Sequence, residues 1–371
     1  MGKLRRRGLL TVADELSAAG GAELAQLRIV EGLASTGWAV ELLYVSRGNL
    51  WPRWDACTSR ARSIRASGWR GEAPLRSARG ALGLTAGITR TDSSVVYLHD
   101  PGSLPAALIG SKAKRVPVAL HLHLPPPFRQ PKWLNRLIQK ADAIIAPSGD
   151  TAERWMRAAQ LSASRVSVIP TGTDTDHFVP LAEAARHEQR KSLGLDPDVP
   201  LVLYAGRLHH TKGLYELLEG VGRMEERVNL VICGAGDSAS FVDTLRRDAA
   251  GMEVMWLDWR LDISSLLATA DLVVLPSLFD EPQGMVVIEA MSCGTPAVAS
   301  AVGGIPETLV GFPDHLVPPG DVTALASAMD RLVGWRHHAP SLGENSRRWV
   351  VEHFTLERSV ETVSTLLAEL G

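Results

Sequence analysis

The groups in this chain best placed to do chemistry sit where a strand gives way to a helix. In Glu281-Pro-Gln-Gly-Met-Val-Val-Ile-Glu289, Pro282 and Gly284 shape a turn and helical periodicity begins at about Met285. Amides at a helix start lack intrahelical acceptors and can hold phosphate or sugar oxygens. Glu281, before the turn, could accept hydrogen bonds from sugar hydroxyls. Glu289 offers two acceptor oxygens that suit a ribose diol. An ordinary helix start with a dipole-favoured acid nearby fits the same residues.

Gly206-Arg207-Leu-His-His-Thr-Lys212-Gly213 follows a strand at Leu201–Ala205. Arg207 and Lys212 therefore stand near the C-terminal end of that strand, where two cations could neutralise a diphosphate and stabilise it as a leaving group. His209 and His210 between them read as loop residues. In the first half, Gly20-Gly21-Ala22-Glu23 follows the first strand and precedes a helix. Its glycines allow close approach to a ligand, or simply a tight turn. His121 and His123 are two apart, so they share a face while their strand lasts. A metal pair is conceivable, but no third ligand is expected near them. One of them facing a cleft as a hydrogen-bond partner is the favoured reading, beside a purely structural one.

These residues need a frame, and the hydrophobic pattern supplies it. Strands are expected at Leu9–Ala13, Ala39–Val45, Val95–Leu98, Val116–His121, Ala143–Ala146 and Val166–Ile169. A second set is expected at Leu201–Ala205, Asn229–Cys233, Val254–Leu257, Leu272–Leu275, Ala297–Ser300 and His315–Val317. Helical stretches alternate with them, including Ala22–Ser35, Gly213–Met224 and Val322–Val333. Such alternation implies α/β architecture with parallel sheets covered on both faces. Two half-chains of this kind imply two doubly wound domains, with ligands at strand C-terminal ends in a cleft between them. The linker is expected from Pro170 to about Pro200. Gly234-Ala-Gly236-Asp-Ser-Ala239 imitates a dinucleotide fingerprint, but no strand ending in an acid follows at the right distance. Asp174-Thr-Asp176 imitates a metal-binding D-x-D inside the interdomain segment.

Composition narrows the class. The chain has 371 residues, 45% hydrophobic, and no run of 18 apolar residues. The basic start, Met1 to Arg7, resembles the charged region of a signal peptide. The apolar stretch after it is short and ends at Asp14-Glu15, so it reads as a first strand. Three scattered cysteines (Cys57, Cys233, Cys293) suggest a reducing compartment, with neither a disulfide framework nor a metal site. The net charge of −2 hides an asymmetry: +11 over residues 1–175 and −13 over 176–371. Residues 47–90 hold nine arginines, with Trp51, Trp54 and Trp69 among them. A solvated basic face and a patch for an acidic acceptor or anionic membrane are both open. No nucleic-acid motif accompanies the charge.

In combination and in order, these motifs resemble the retaining glycosyltransferases of family 4, which have the GT-B fold. The resemblance rests on Gly20-Gly21-Ala22-Glu23, His123, Pro170-Thr-Gly-Thr-Asp174, Gly206-Arg207 with Lys212-Gly213, Glu281 to Glu289, Cys293-Gly-Thr-Pro296 and Gly303-Gly304. It covers nearly the whole chain except 50–91. Two positions depart from the family: Trp38 stands where His is frequent, and Thr171 where Asn is. The resemblance implies an N-terminal acceptor domain over 1–175, a donor domain over 176–347, and a C-terminal helix over 348–371 crossing back to the first domain. Arg207 and Lys212 would hold the donor diphosphate, with Gly206 beside them. Glu281 and His123 would contact the sugar. Gly284, Met285 and Val286 would offer amides, Glu289 would bind the ribose, and Gly20 and Gly21 would let the first-domain loop approach the diphosphate. A hexose would pass from a nucleotide-sugar to a small-molecule, glycan or lipid acceptor, with retention, no cofactor and no required metal. The setting would be cytoplasmic, with peripheral contact at the inner membrane face. Two rivals stand beside this reading. One is another GT-B enzyme, such as a nucleotide-sugar epimerase, against which Glu281–Glu289 argues. The other is a non-catalytic sugar-nucleotide binder.

Overall fold

The computed structural model describes residues 7–17, 20–66, 68, 74–127, 131–236 and 238–371. The basic residues 1–6, Trp69, Arg70 and Asp237 lie outside them. The chain divides into two compact units, Met1–Pro170 with Leu356–Gly371, and Thr171–Thr355.

The first unit holds seven strands: β1 (Gly8–Leu16), β2 (Ala39–Arg47), β3 (Arg60–Ser63), β4 (Val95–Leu98), β5 (Val118–His121), β6 (Ala143–Ala146) and β7 (Val166–Val168). Their order is β3-β2-β1-β4-β5-β6-β7, and every pairing is parallel. The second unit holds β8 (Leu201–Ala205), β9 (Asn229–Cys233), β10 (Val254–Leu257), β11 (Leu272–Leu275), β12 (Ala297–Ser300) and β13 (Leu316–Val317). Their order is β10-β9-β8-β11-β12-β13, again all parallel. Both sheets thus reverse direction of winding, the first between β1 and β4 and the second between β8 and β11. Ligands of such sheets bind at that reversal, beyond the strand C-termini.

Buried continuous strands explain why the sequence shows apolar runs rather than alternation. Along β8, Leu201 and Leu203 pack in one core cluster while Val202 and Tyr204 pack in another. Leu9 and Leu10 of β1 divide the same way in the first unit. Each sheet therefore carries a core on both faces.

Three differences from the expected elements have physical causes. β3 was not expected, because Arg60-Ala-Arg-Ser is no apolar run. It is an edge strand that pairs only with β2, and charged residues blunt such edges. The single C-terminal stretch is two helices, Ser341–His353 and Leu356–Leu370, broken at Phe354-Thr355. The second of them packs on Gly21–Ser35 within the first unit: a Cβ on Gly32 would lie 2.3 Å from Val360 Cγ2. Trp38, the first departure from the family pattern, is buried there and its indole N–H donates to Ser364 Oγ at 2.9 Å. Finally, the units divide at Pro170 and Thr171, and 171–175 belong with the second unit. Thr173 N–H donates to the Phe354 carbonyl at 2.8 Å, and Asp174 caps its own turn by accepting from the amides of Asp176 and His177.

Candidate active site

In the second unit, the loops after β8 and β11 meet at the winding reversal. A Cβ on Gly213 would lie 1.8 Å from the Pro276 carbonyl oxygen, and Gly213 has φ +68, so only glycine lets the two loops come this close. Leu278 N–H donates across to the Thr211 carbonyl at 2.8 Å. At this junction the Lys212 ammonium donates to Glu281 Oε1, and Ser277 Oγ donates to the same oxygen. The side chains of Lys212 and Glu281 are only 14% and 11% exposed, so the pair is shielded well beyond an ordinary surface salt bridge.

Each partner is braced from behind. His209 Nδ1 accepts from the Thr211 amide and meets Thr211 Oγ1 at 2.8 Å, closing the tight turn that ends at Lys212. The Glu281 carbonyl accepts from Gly304 N–H at 2.8 Å. Arg207 stands exposed on the first loop, with its carbonyl held by the buried Tyr204 hydroxyl at 2.6 Å. Burial, and Glu281 nearby, keep that hydroxyl protonated far above its ordinary value. Gly234-Ala-Gly236 after β9, the dinucleotide look-alike, props this same loop: Leu208 N–H donates to the Ala235 carbonyl and Gly206 N–H to the Cys233 carbonyl.

Helix Met285–Ser292 starts at Gly284, which caps it in the left-handed conformation (φ +76, ψ 58). Its first amides face the loop side, as any helix start does. Glu289 is buried on this helix, close enough to Cys293 to help burial push that thiol up to about 12. Gln283, between Pro282 and Gly284, has a role that the sequence motif does not show. It is a clamp: Thr171 N–H donates to its Oε1 at 2.8 Å, and its Nε2 donates to the Thr171 carbonyl at 3.0 Å. Thr171, the second departure from the family pattern, thus serves through its backbone.

In the first unit, Gly20 and Gly21 open helix Gly21–Ser35 after β1, and among the described residues a Cβ on Gly21 would meet nothing within 4 Å. His123 lies beyond the end of β5. The expectation that no third metal-type ligand lies near it is corrected by His99, which follows the neighbouring β4. His99, His121 and His123 bring ligand atoms within 4.8 Å of one another, the one such group among the described residues. His99 Nδ1 and His123 Nε2 share a hydrogen bond of 2.7 Å, and His121 Nδ1 shares one of 2.7 Å with Tyr97 OH. The rings stack, at 8° between His99 and His123 and 22° between His121 and His123. Stacked rings run their lone pairs side by side, so three-fold coordination of one ion would require a ring to turn. Burial lowers the pKa of His123 to about 4 and those of His99 and His121 well below the ordinary range, so all three are neutral near pH 7.

Strand-end logic applied to every strand would have found His99, and Ser277 sits four residues before Glu281. Tyr204 and Gln283 carried no signal beyond their place next to a motif. Gly20, Gly21 and His123 belong to one unit. Gly206, Arg207, Lys212, Glu281, Gly284, Met285, Val286 and Glu289 belong to the other.

A parallel sheet of this order, with cations and carboxylates gathered at its reversal, is a doubly wound α/β unit with a candidate ligand site beyond its strand ends. The family model for glycosyl transferases group 1 matches residues 199–334, and that for glycosyltransferase family 4 matches residues 19–177. Alpha-maltose-1-phosphate synthase of Mycolicibacterium smegmatis is 30% identical over 295 residues, covering 71% of this chain and 76% of that protein. The Mycobacterium tuberculosis protein of the same name is 33% identical over 241 residues, 60% of this chain and 62% of its own length. Among solved structures, Anabaena Alr3699/HepE in complex with UDP and glucose superposes with a TM-score of 0.85 over 98% of this chain and 100% of that one, at 22% identity. The fold is GT-B, and the chain belongs to glycosyltransferase family 4.

Proposed function

We propose that the chain transfers a hexose from a nucleoside-diphosphate sugar to an acceptor, with retention of anomeric configuration. The observation that carries the reading is the shielded Lys212–Glu281 pair at the β8/β11 reversal, with Arg207 on the same loop. In the donor complex, Lys212 and Arg207 would neutralise the diphosphate as the sugar–phosphate bond breaks. Glu281 would turn its acceptor oxygens to the sugar hydroxyls. The amides of Gly284, Met285 and Val286 would hold sugar or phosphate oxygens, and Glu289 the ribose diol. Neutral His123 would contact the sugar, with His99 fixing its ring, and Gly20 and Gly21 would let their loop approach the diphosphate. Retention without a protein nucleophile follows if the leaving phosphate oxygen takes the acceptor's proton on the same face. The reading needs no metal, since the cations of the loop supply the charge.

The UDP and glucose held by the Anabaena relative make UDP-glucose the first donor to test. Among the described residues no helix is long and apolar enough to cross a membrane. We assign the basic first half a peripheral role toward an anionic acceptor or membrane face. Of its described arginines, Arg53 and Arg62 pair with Glu31 and Glu41, Arg47 lies over the Trp51 ring at 3.9 Å, and Arg60 and Arg65 are exposed. Mass spectrometry of products from UDP- and GDP-sugars with candidate acceptors tests the transfer. Release of an epimerised sugar without acceptor would favour an epimerase instead. Vesicle binding that ignores salt and anionic lipid would remove the peripheral role.

A further inference from the structure

The second unit has a cavity of roughly 690 Å³ at the N-terminal ends of β8 and β11, opposite the strand ends that carry the proposed donor residues. It is lined by Asp271, which immediately precedes β11, and Leu201 N–H, opening β8, donates to Asp271 Oδ2 at 2.7 Å. Three arginines converge on that one carboxylate. Arg186 Nη2 and Arg336 Nε donate to Oδ1 at 2.8 and 2.9 Å, and Arg190 Nη2 to Oδ2 at 2.5 Å. With four donors, Asp271 has no acceptor capacity left.

The arginines have donor capacity to spare. Among the described residues, Arg186 donates only through Nη2 and Arg336 only through Nε and Nη2, so the Nη1 of each has no protein acceptor. Arg186 Nε and Arg190 Nε are buried and also meet none. Arg347, which lines the cavity too, differs: both its terminal nitrogens are spent on the carbonyls of Phe178, Ser292 and Thr175. The floor therefore sets three guanidinium charges against one carboxylate. The other acids lining the cavity, Glu183, Asp198 and Glu344, are exposed on the rim, where water weakens their pull, although Glu183 still acts on Arg186 and Arg336. Burial, and then repulsion from Arg336, lower the Arg186 pKa to about 10. Buried cations of one sign are costly unless a counter-charge meets them.

We propose that this cavity is a second binding site, separate from the donor residues, that takes a small phosphate dianion. The excess of guanidinium charge over the one floor carboxylate matches a dianion, and unpaired guanidinium N–H groups match tetrahedral phosphate oxygens. The volume lies within the usual range for small-molecule sites and leaves room for a substituent on the phosphate.

Calorimetric titration of the full chain with inorganic phosphate, at constant ionic strength, tests this. The titration is run on the wild type and on Lys212→Ala, so that phosphate at the proposed donor loop is not mistaken for it. Saturable binding should persist in Lys212→Ala and weaken about tenfold or more in Arg336→Gln, the loss of one charge-assisted contact. Arg336→Lys should recover part of it. No saturable binding in Lys212→Ala, or equal affinity in Arg336→Gln, would overturn the site. If Arg336→Gln does not fold, Glu183→Gln decides: removing that rim charge should tighten phosphate about threefold, and unchanged affinity would overturn it. A parallel titration with a sugar 6-phosphate separates the sources. Tighter binding than inorganic phosphate points to a phosphomonoester, and weaker binding to free phosphate. Failure of sugar transfer leaves this site untouched, because its test does not use the donor.

Discussion

Lys212 and Glu281 are 69 residues apart in the chain, yet their side chains close an ion pair across the loops after β8 and β11. Neither loop alone could fix it. The pair exists because β8 and β11 are neighbours at the winding reversal and because Gly213 lets the loops touch. In a donor complex the same two groups would face opposite kinds of partner, an anion and a row of hydroxyls. The ion pair holds both side chains in place, which would reduce the ordering cost of binding if they receive the donor as proposed.

Gln283 ties the loop after β11 to the first residues of the second unit. Gln283→Ala removes both hydrogen bonds and strands the buried backbone N–H and C=O of Thr171. The expected loss is about 1–3 kcal/mol in urea unfolding. Gln283→Glu keeps the acceptor but places a carboxylate against the Thr171 carbonyl, and should cost at least as much. Wild-type stability in both variants would show that Thr171 is held some other way.

Gly21 makes the opposite kind of case. Among the described residues no atom lies where its Cβ would be, so Gly21→Ala should leave the melting temperature within about 2 °C of the wild type, as for a surface change. If the glycine serves close approach to the donor, the KM for the nucleotide-sugar should rise clearly in the same variant. A normal KM would assign Gly21 to the turn alone.

The buried histidines give the stability a sign with pH. His123 titrates at about 4 in the fold, and an unfolded histidine at about 6.5, so the unfolded chain takes up protons first. The contribution is fully present above pH about 6.5 and is lost as pH falls through about 4, up to about 3 kcal/mol for His123. His99 and His121 shift the same way and add to it. Urea midpoints measured from pH 7 to 4.5 should fall, and His123→Asn should make the fall shallower. An unchanged slope would place the titration elsewhere.

Much of this architecture is legible in sequence because parallel strands buried on both faces must be apolar throughout. β8 to β12 appear as short Val, Ile and Leu runs with bounds that the fold reproduces. β3 was invisible because an edge strand needs no apolar face. Site residues on the loops were legible where charge or glycine stood at a strand end, as with Lys212, Glu281 and Gly284. Residues that act through neutral hydrogen bonds to distant backbone were not, since a separation of 112 positions between Thr171 and Gln283 leaves no local trace of their pairing. His99 fell between the two cases, legible in position but meaningful only once β4 lay beside β5.

The most direct measurement is the transfer rate from a nucleotide-sugar donor in Lys212→Met and Glu281→Gln, each checked for folding by circular dichroism. Each folded variant should lose about 100-fold or more in rate, the scale of removing a group aimed at developing charge. Folded variants that transfer at the wild-type rate would contradict the proposed roles of Lys212 and Glu281.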